Sequence, residues 1–335
     1  MSYARAVRAL RVAELGEPGE VLRVAEVAEP TAGPGELVVR VGGAALNFPD
    51  VLMCRGEYQV RPPLPFTPGV ELSGEVVAVG DGVTRFAPGD QVIGMPTAPS
   101  GGLAELAVVA ETAALPAVPG FSSAQNAAFL LTYQTGHVGL HRRARLRAGE
   151  TLLVHGGAGG VGSAAIQLGK AAGARVIATA GGPAKVELCR QLGADEAIDY
   201  TVADFVPVIK ELTGGRGVDV VYDPVGGEVF ERSLKVVAFE GRVVLVGFTS
   251  GKFGQLPTNH ALLKNYSVLG LHWGLYRQRD PGVIVAAHAD LLKLAADGLI
   301  SPHVSEQVPL ADAPAALDRL GSRRTVGKVV VLPDR

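Results

Sequence analysis

Thr151–Gly162 reads Thr-Leu-Leu-Val-His-Gly-Gly-Ala-Gly-Gly-Val-Gly, a glycine-rich stretch set between two patterns. Thr151–Val154 is a short apolar run of strand type, and the glycines follow it at once. From Val161 the pattern changes to a helical period, with Val161, Ala165, Leu168 and Ala172 on one face. Gly173 stops that helix, and Arg175–Ala178 opens a second buried strand. Strand, glycine turn, helix and strand make one right-handed crossover unit. Gly157, Gly159 and Gly162 fit the spacing G-x-G-x-x-G. Bare backbone there permits a tight turn, close approach to a pyrophosphate and helix-on-strand packing, with the helix N-terminus facing the anion. Both flanks are as the motif requires, so the stretch predicts dinucleotide binding; a merely structural glycine turn is the alternative.

Outward from this unit the strand–helix alternation runs without a break. Strands are expected at Thr151–Val154, Arg175–Thr179, Glu196–Asp199, Val218–Tyr222, Arg242–Val246 and Ser267–Leu271. Helices are expected at Val161–Ala172, Ala184–Leu192, Asp204–Leu212 and Glu228–Val237. This order predicts an α/β Rossmann domain with a six-stranded, doubly wound parallel sheet and its cofactor at the carboxyl ends of the strands. Just before it, Ser123–Leu140 reads as helical.

Residues 1–125 have another texture. Short strand candidates at Ala4–Leu10, Val21–Val27, Leu37–Val41, Glu71–Val79, Gln91–Ile93 and Ala104–Val109 are separated by Gly and Pro clusters. That rhythm predicts a barrel or sandwich rather than a parallel sheet. After about residue 272 the alternation stops. Helices at Val283–Ala296 and Ala313–Leu320 and a strand at Lys328–Leu332 form a tail too short for a core of its own. The expected division is a discontinuous catalytic domain, 1–125 with 273–335, around a nucleotide domain, 126–272.

Of the 335 residues 47 % are apolar and 19 % charged, and the net charge is −2. The composition supports a large core and offers no basic footprint for nucleic acid. No apolar stretch is long enough to span a bilayer, and the first residues lack the apolar core of a signal peptide. The two cysteines, Cys54 and Cys189, cannot build a disulfide framework and suit a reducing compartment, so a cytoplasmic location is expected.

Four further stretches stand out: Asn47-Phe48-Pro49-Asp50, Pro68-Gly69-Val70-Glu71, Ala158-Gly159-Gly160-Val161-Gly162 and Asp223-Pro224-Val225-Gly226-Gly227. With the domain order, they make the chain similar over nearly its whole length to the zinc-free quinone oxidoreductase branch of the medium-chain dehydrogenase/reductase superfamily. Leu262–Tyr266 leading to Gly270–Gly274 resembles the quinone oxidoreductase-like 2 group in particular. The resemblance implies a GroES-like β-barrel catalytic domain before the Rossmann domain.

The resemblance also bears on the cofactor. NAD-selective folds place an acid after the second strand to hold the ribose hydroxyls. Here that strand ends Thr179-Ala180-Gly181-Gly182-Pro183, without a carboxylate. Lys185 and Tyr200 match the family's phosphate-binding Lys and Tyr, and Arg323, beside Arg324, matches its C-terminal Arg. In the plainer view Lys185 is a solvated first-turn residue, Tyr200 a half-buried strand end and Arg323 a surface charge. Thr135 matches a threonine near the nicotinamide, and Gly247 and Phe248 follow the fifth strand, where backbone meets that end. With Gly157, Gly159, Gly160, Val161, Gly162 and Gly181 these residues make the expected NADPH site.

No metal is expected. Zinc-dependent members hold zinc through a Cys at the place of Asn47 and a His at the place of Val70. Valine offers no lone pair, an amide is a poor ligand beside thiolate and imidazole, and the cysteines of a structural zinc lobe are missing. His137, His141 and His155 read as core or surface histidines.

Without a Lewis acid nothing would stabilise an alkoxide. The expected reaction is hydride addition to a quinone or an α,β-unsaturated carbonyl, which asks for positioning and donors for the developing oxygen. Asn47 is the first candidate for a polar group lining the site; otherwise it is a turn residue capping Phe48–Met53. Tyr58 matches the proton-donating tyrosine of enoyl-thioester reductases, and either gives a proton or lines a cleft between the two domains. Asp50 and Glu71 match family positions and read as structural. An enoyl-thioester reductase is the alternative enzyme, and an RNA-binding or crystallin-like structural protein the alternative of another class. The resemblance implies a homodimer, since family members often pair through an edge strand of the nucleotide sheet, and Ser267–Leu271 is apolar enough to be that contact.

Overall fold

Thr151–Val154 forms β8, buried along its whole length. The computed structural model describes residues 6–334. The chain divides into two compact units, residues 1–130 with 302–335, and residues 131–301.

In the second unit β8 pairs with β9 (Arg175–Ala180) on one side and β11 (Val218–Asp223) on the other. Beyond β9 lies β10 (Glu196–Asp199); beyond β11 lie β12 (Val237–Leu245) and β13 (Ser267–Gly270). Every pair is parallel, and the order β10-β9-β8-β11-β12-β13 reverses direction between β8 and β11. Ligands of open α/β sheets bind at that switch point. Successive strands are joined by α5 (Gly160–Ala171), α6 (Pro183–Gln191), α7 (Phe205–Leu212), α8 (Gly227–Ser233) and α9 (Thr258–Lys264). The central strands are apolar without alternation because helices cover both faces of such a sheet.

The helix expected over Glu228–Val237 stops at Ser233. Val237 joins the sheet instead, Val218 N–H donates to the carbonyl of the preceding Val236 at 2.8 Å, and β12 begins five residues before the expected Arg242. Both valines are buried there, and β-branched side chains suit a packed strand better than a helix end. A register shift then follows, where Glu240 takes a φ of 56°.

The expected return to the first unit at residue 273 is also corrected. Helices α10 (Trp273–Arg279) and α11 (Pro281–Ala296) stay with the second unit. From α4 (Leu130–His137), Gln134 Nε2 donates to the Ile284 carbonyl at 3.0 Å. From α5, the Gln167 amide clasps the Ser301 backbone, donating to its carbonyl at 3.1 Å and accepting from its N–H at 2.7 Å. Two buried amides therefore hold this hairpin, and the chain leaves only at Pro302.

In the first unit β1 (Ala6–Val12) pairs antiparallel with β2 (Leu22–Ala28) across the short helix α1 (Pro18–Val21). The expected start of that strand at Ala4 lies outside the described residues. The hub is β3 (Glu36–Ala45), which pairs antiparallel with β4 (Leu72–Val79), β6 (Leu106–Ala110) and β15 (Lys328–Leu332). β5 (Gln91–Gly94) and β7 (Ala114–Pro116) continue from β4, and β14 (Val304–Pro309) flanks β15. Two helices complete the unit, α3 (Ser123–Ala127) and α12 (Ala313–Gly321). The sheet order β14-β15-β3-β4-β5-β7, with β6 branching from β3, does not close into the expected barrel. Pro116 ends β7 and Pro309 ends β14, and proline has no N–H for a further ladder bond. The core lies under β3, where Leu37, Val39 and Val41 meet Leu72, Val76, Val329 and Val331.

Among the described residues no helix is long and apolar enough to cross a membrane. Cys54 and Cys189 are free, buried thiols, each pushed up to about 12 chiefly by burial.

Candidate active site

The glycine stretch leaves the carboxyl end of β8 at the sheet's switch point. Gly157 N–H donates to the Thr179 carbonyl of β9 at 2.9 Å, and Gly159 N–H to the Gly156 carbonyl at 2.9 Å. Gly159 caps α5, whose first residues are Gly160, Val161 and Gly162. A Cβ on Gly162 would overlap the Gly156 carbonyl and approach the Gly157 Cα at 2.9 Å, so the turn closes only on bare backbone. The first-turn N–H groups of α5 have no intrahelical acceptor and form a cradle for an anion.

His155 supports this loop from below. Its ring is buried, with Nδ1 2.9 Å from Thr179 Oγ1 and Nε2 2.7 Å from Ser233 Oγ. Ser233 Oγ already donates to the Val229 carbonyl at 2.7 Å, so it accepts from His155 Nε2–H. Nδ1 then accepts from the Thr179 hydroxyl. The ring is neutral, because burial pushes its pKa down to about 3. One oriented relay therefore ties β9, β8 and α8 together. His155 is a core histidine, as the sequence predicts. His137, which ends α4, and His141, in the π-helical segment after it, lie 4.7 Å apart between centroids with their rings tilted by 58°.

At the end of β9, Tyr200 lies over Gly181: an ideal Cβ there would stand 2.6 Å from the phenol oxygen. Gly182, with φ 89°, caps α6, and Lys185 stands in the first turn of that helix, its pKa lowered by partial burial. One carboxylate of this corner escaped sequence reasoning. Asp199 closes β10, and its Oδ1 accepts from Gly182 N at 3.0 Å and from Thr201 N and Oγ1 at 2.9 and 2.6 Å. It comes from the next strand, seventeen residues beyond Gly182, with no local signal to reveal it.

Gly247 and Phe248 follow β12. The loop they begin is laced to the Asp223 turn, with Thr249 N donating to Pro224 O and Ser250 N to Val225 O, both at 3.0 Å. Asp223 Oδ1 accepts from Val225 N and Gly226 N, and burial raises its pKa. Phe248 packs against Phe253, 4.6 Å between centroids, and Thr135 is buried on α4.

The candidates of the first unit gather where β3 ends. Helix α2 (Phe48–Cys54) begins there with Asn47 as its cap. Asn47 N–H donates to Asp50 Oδ2 at 2.8 Å, and Asp50 Oδ1 accepts from Gly69 N and Val70 N at 2.9 and 3.1 Å. Burial raises Asp50 to about 6, against the pull of these N–H groups and of Lys328. Asn47 Nδ2 donates to the Ala45 carbonyl at 3.0 Å and to Glu71 Oε1 at 2.9 Å. Both amide protons are committed within the cluster, and Asn47 caps α2, the alternative the sequence left open beside a place lining the site. Lys328 Nζ completes the cluster, donating to Leu46 O, Asn47 Oδ1 and Glu71 Oε1 at 3.0, 2.7 and 3.1 Å. Sequence reasoning missed Lys328, because a lone lysine opening a strand reads as a surface charge.

Tyr58 lies just after α2, half-buried against the same core, and its pKa is raised by burial and then by the charge of Asp50. Arg323 is exposed in the turn after α12, with φ 59°. Among the described residues no group of three or more His, Cys, Asp or Glu is placed to hold a metal.

Residues 33–120 match the family model of the alcohol dehydrogenase GroES-like domain, and residues 160–287 that of the zinc-binding dehydrogenases. The chain is 39 % identical over 301 residues to rat quinone oxidoreductase-like protein 2, covering 89 % of this chain and 85 % of the relative. A quinone oxidoreductase of Pseudomonas syringae superposes with a TM-score of 0.89 at 34 % identity, over 98 % of this chain and 100 % of that one. The Escherichia coli quinone oxidoreductase complexed with NADPH gives 0.88 at 31 %, over 97 % and 100 %.

Proposed function

The chain belongs to the quinone oxidoreductase family of the medium-chain dehydrogenase/reductase superfamily, and from that premise we propose that it is an NADPH-dependent, zinc-independent reductase of quinones or α,β-unsaturated carbonyls. The observation that carries the cofactor is the bare-backbone cradle at Gly162, a fit for pyrophosphate at the N-terminus of α5. Tyr200 over Gly181 and Lys185 in the first turn of α6 offer a phenol and an ammonium to a ribose phosphate. Asp199 Oδ1 is held in the turn by three donors, which fixes the corner rather than reserving that oxygen for ribose hydroxyls. When bound, NADPH supplies the hydride.

Zinc does not fit the polar cluster of the first unit. Val70 has no donor atom, the Asn47 amide is engaged at both ends, and an ammonium stands 2.7 Å from its Oδ1. A conjugated acceptor spreads the developing charge over an enolate or quinol oxygen, which a few hydrogen bonds can meet. We assign Tyr58 to hold a proton there, since burial and the Asp50 charge both keep its phenol protonated. A homodimer through β13 belongs to the same proposal: β13 stands at the sheet edge, and Leu262 and Leu263 of the adjoining α9 are exposed. The free, buried thiols suit a reducing, cytoplasmic compartment.

The test follows NADPH absorbance with an ortho-quinone and a short enoyl-CoA assayed in parallel, and repeats both with NADH. Turnover of the quinone with NADPH preferred is expected, and Lys185→Ala should reduce that preference by about tenfold, as loss of one charge-assisted hydrogen bond does. Turnover of the thioester alone would move the function to enoyl-thioester reduction with Tyr58 as donor. No turnover of either would end the substrate proposal.

A further inference from the structure

The Lys328 side chain is 5 % exposed, and its three nearest polar partners are all oxygens. An ammonium has three protons and a neutral amine two. Three acceptors at 3.0, 2.7 and 3.1 Å therefore use the full complement of the charged form. Two of these oxygens leave β3 at Leu46 and Asn47, and the third belongs to Glu71, which enters β4. Glu71 Oε1 also accepts from Asn47 Nδ2, so one carboxylate oxygen is shared by the amide and the ammonium. Without the ammonium, Leu46 O, Asn47 Oδ1 and Glu71 Oε1 would converge on an empty centre with a buried negative charge. The distances to that centre are those of hydrogen bonds from an ammonium ion.

We propose that Lys328 is the resident cation of this site, a tethered ammonium that fixes the Asn47 amide and the Glu71 carboxylate at the start of α2. It is a positioning residue for α2 and, through α2, for Tyr58. Only this link to turnover rests on the reductase proposal of the preceding subsection; the cation site itself does not. Truncation of the lysine opens a pocket for a small ammonium ion supplied from solution.

The experiment compares wild type, Lys328→Ala and Lys328→Met in sodium chloride and in ethylammonium chloride of equal ionic strength. Melting temperature, NADPH affinity by fluorescence and quinone turnover are read for each. In sodium, Lys328→Ala should lose about 10- to 100-fold in kcat, the range for loss of a group that orients a functional shell, with NADPH affinity unchanged. Ethylammonium should restore most of that loss and raise the melting temperature of Lys328→Ala only. Lys328→Met, which fills the space without a charge, should be slow in both salts. Wild-type turnover by Lys328→Met, or equal values for folded Lys328→Ala in the two salts, would overturn the proposal. If Lys328→Ala does not fold in either salt, the wild-type protein decides. A slowly exchanging ¹⁵N signal of a buried lysine NH₃⁺, lost in Lys328→Met, supports the tethered cation, and a neutral amine at that position refutes it. A wild type inert toward quinones would fail the reductase proposal alone, since the melting temperatures and the NH₃⁺ signal still report on the site.

Discussion

Both units bury polar side chains at the end of a strand that launches a functional loop, but in opposite ways. In the first unit Asn47, Asp50, Glu71 and Lys328 bury two carboxylates and an ammonium around the start of α2. In the second, His155, Thr179 and Ser233 bury three neutral groups in a single-direction relay beneath the glycine loop. A charged cluster fixes geometry strongly and fails badly when one member is removed, because the remaining charge has no solvent to turn to. A neutral relay gives up less on truncation and only turns costly when it is forced to protonate.

The largest difference should appear in stability. Lys328→Met leaves Glu71 without its counter-charge and should destabilise the first unit by about 3–5 kcal/mol. His155→Leu leaves two hydroxyls short of one partner and should remove about 1–3 kcal/mol from the second unit. Urea unfolding, with each unit followed by hydrogen exchange, measures both. Equal losses would break the contrast between charged and neutral clusters.

A smaller effect should separate the units by pH. Asp50 is raised from 3.8 to about 6 in the folded chain, so the fold binds that proton more tightly than the unfolded chain does. Its contribution is full below about pH 4 and is lost as pH rises through 6. His155 is lowered from 6.5 to about 3, so its contribution is present above pH 6.5 and is lost as pH falls toward 3. In the second unit the lowered carboxylates Asp195 and Asp219 act in the same direction as His155 at lower pH, and the raised Asp223 acts against them. Exchange of the slowest amides between pH 6.5 and 4, corrected for intrinsic rates, should show the first unit gaining protection while the second loses it. His155→Gln should flatten the second slope and Asp50→Asn the first; slopes of the same sign in both units would sharpen the account against Asp50.

Much of the second unit was legible because its signals are local. β8 and β10 fall at the expected bounds, and the glycine stretch leaves β8 at the reversal of the sheet order. Boundaries failed where tertiary partners decide, as at Val237, which the neighbouring β11 draws into a strand. The hairpin at residues 273–301 could not be assigned from its own pattern, since Gln134 and Gln167 hold it from far away in sequence. The charged cluster was least legible. Asn47 was found through its motif, but its partner Lys328 lies 281 residues away, and no periodicity joins them. Nor could any spacing show that the protons of the Asn47 amide were already taken.

The most direct test of the whole account is quinone turnover with NADPH as a function of bound zinc, on enzyme freed of metal by chelation and then titrated with zinc, with metal content measured on each sample. The account predicts full turnover at zinc contents far below one ion per chain and no rise on titration. Activity that tracks bound zinc would contradict it, and with it the place assigned to the Lys328 ammonium.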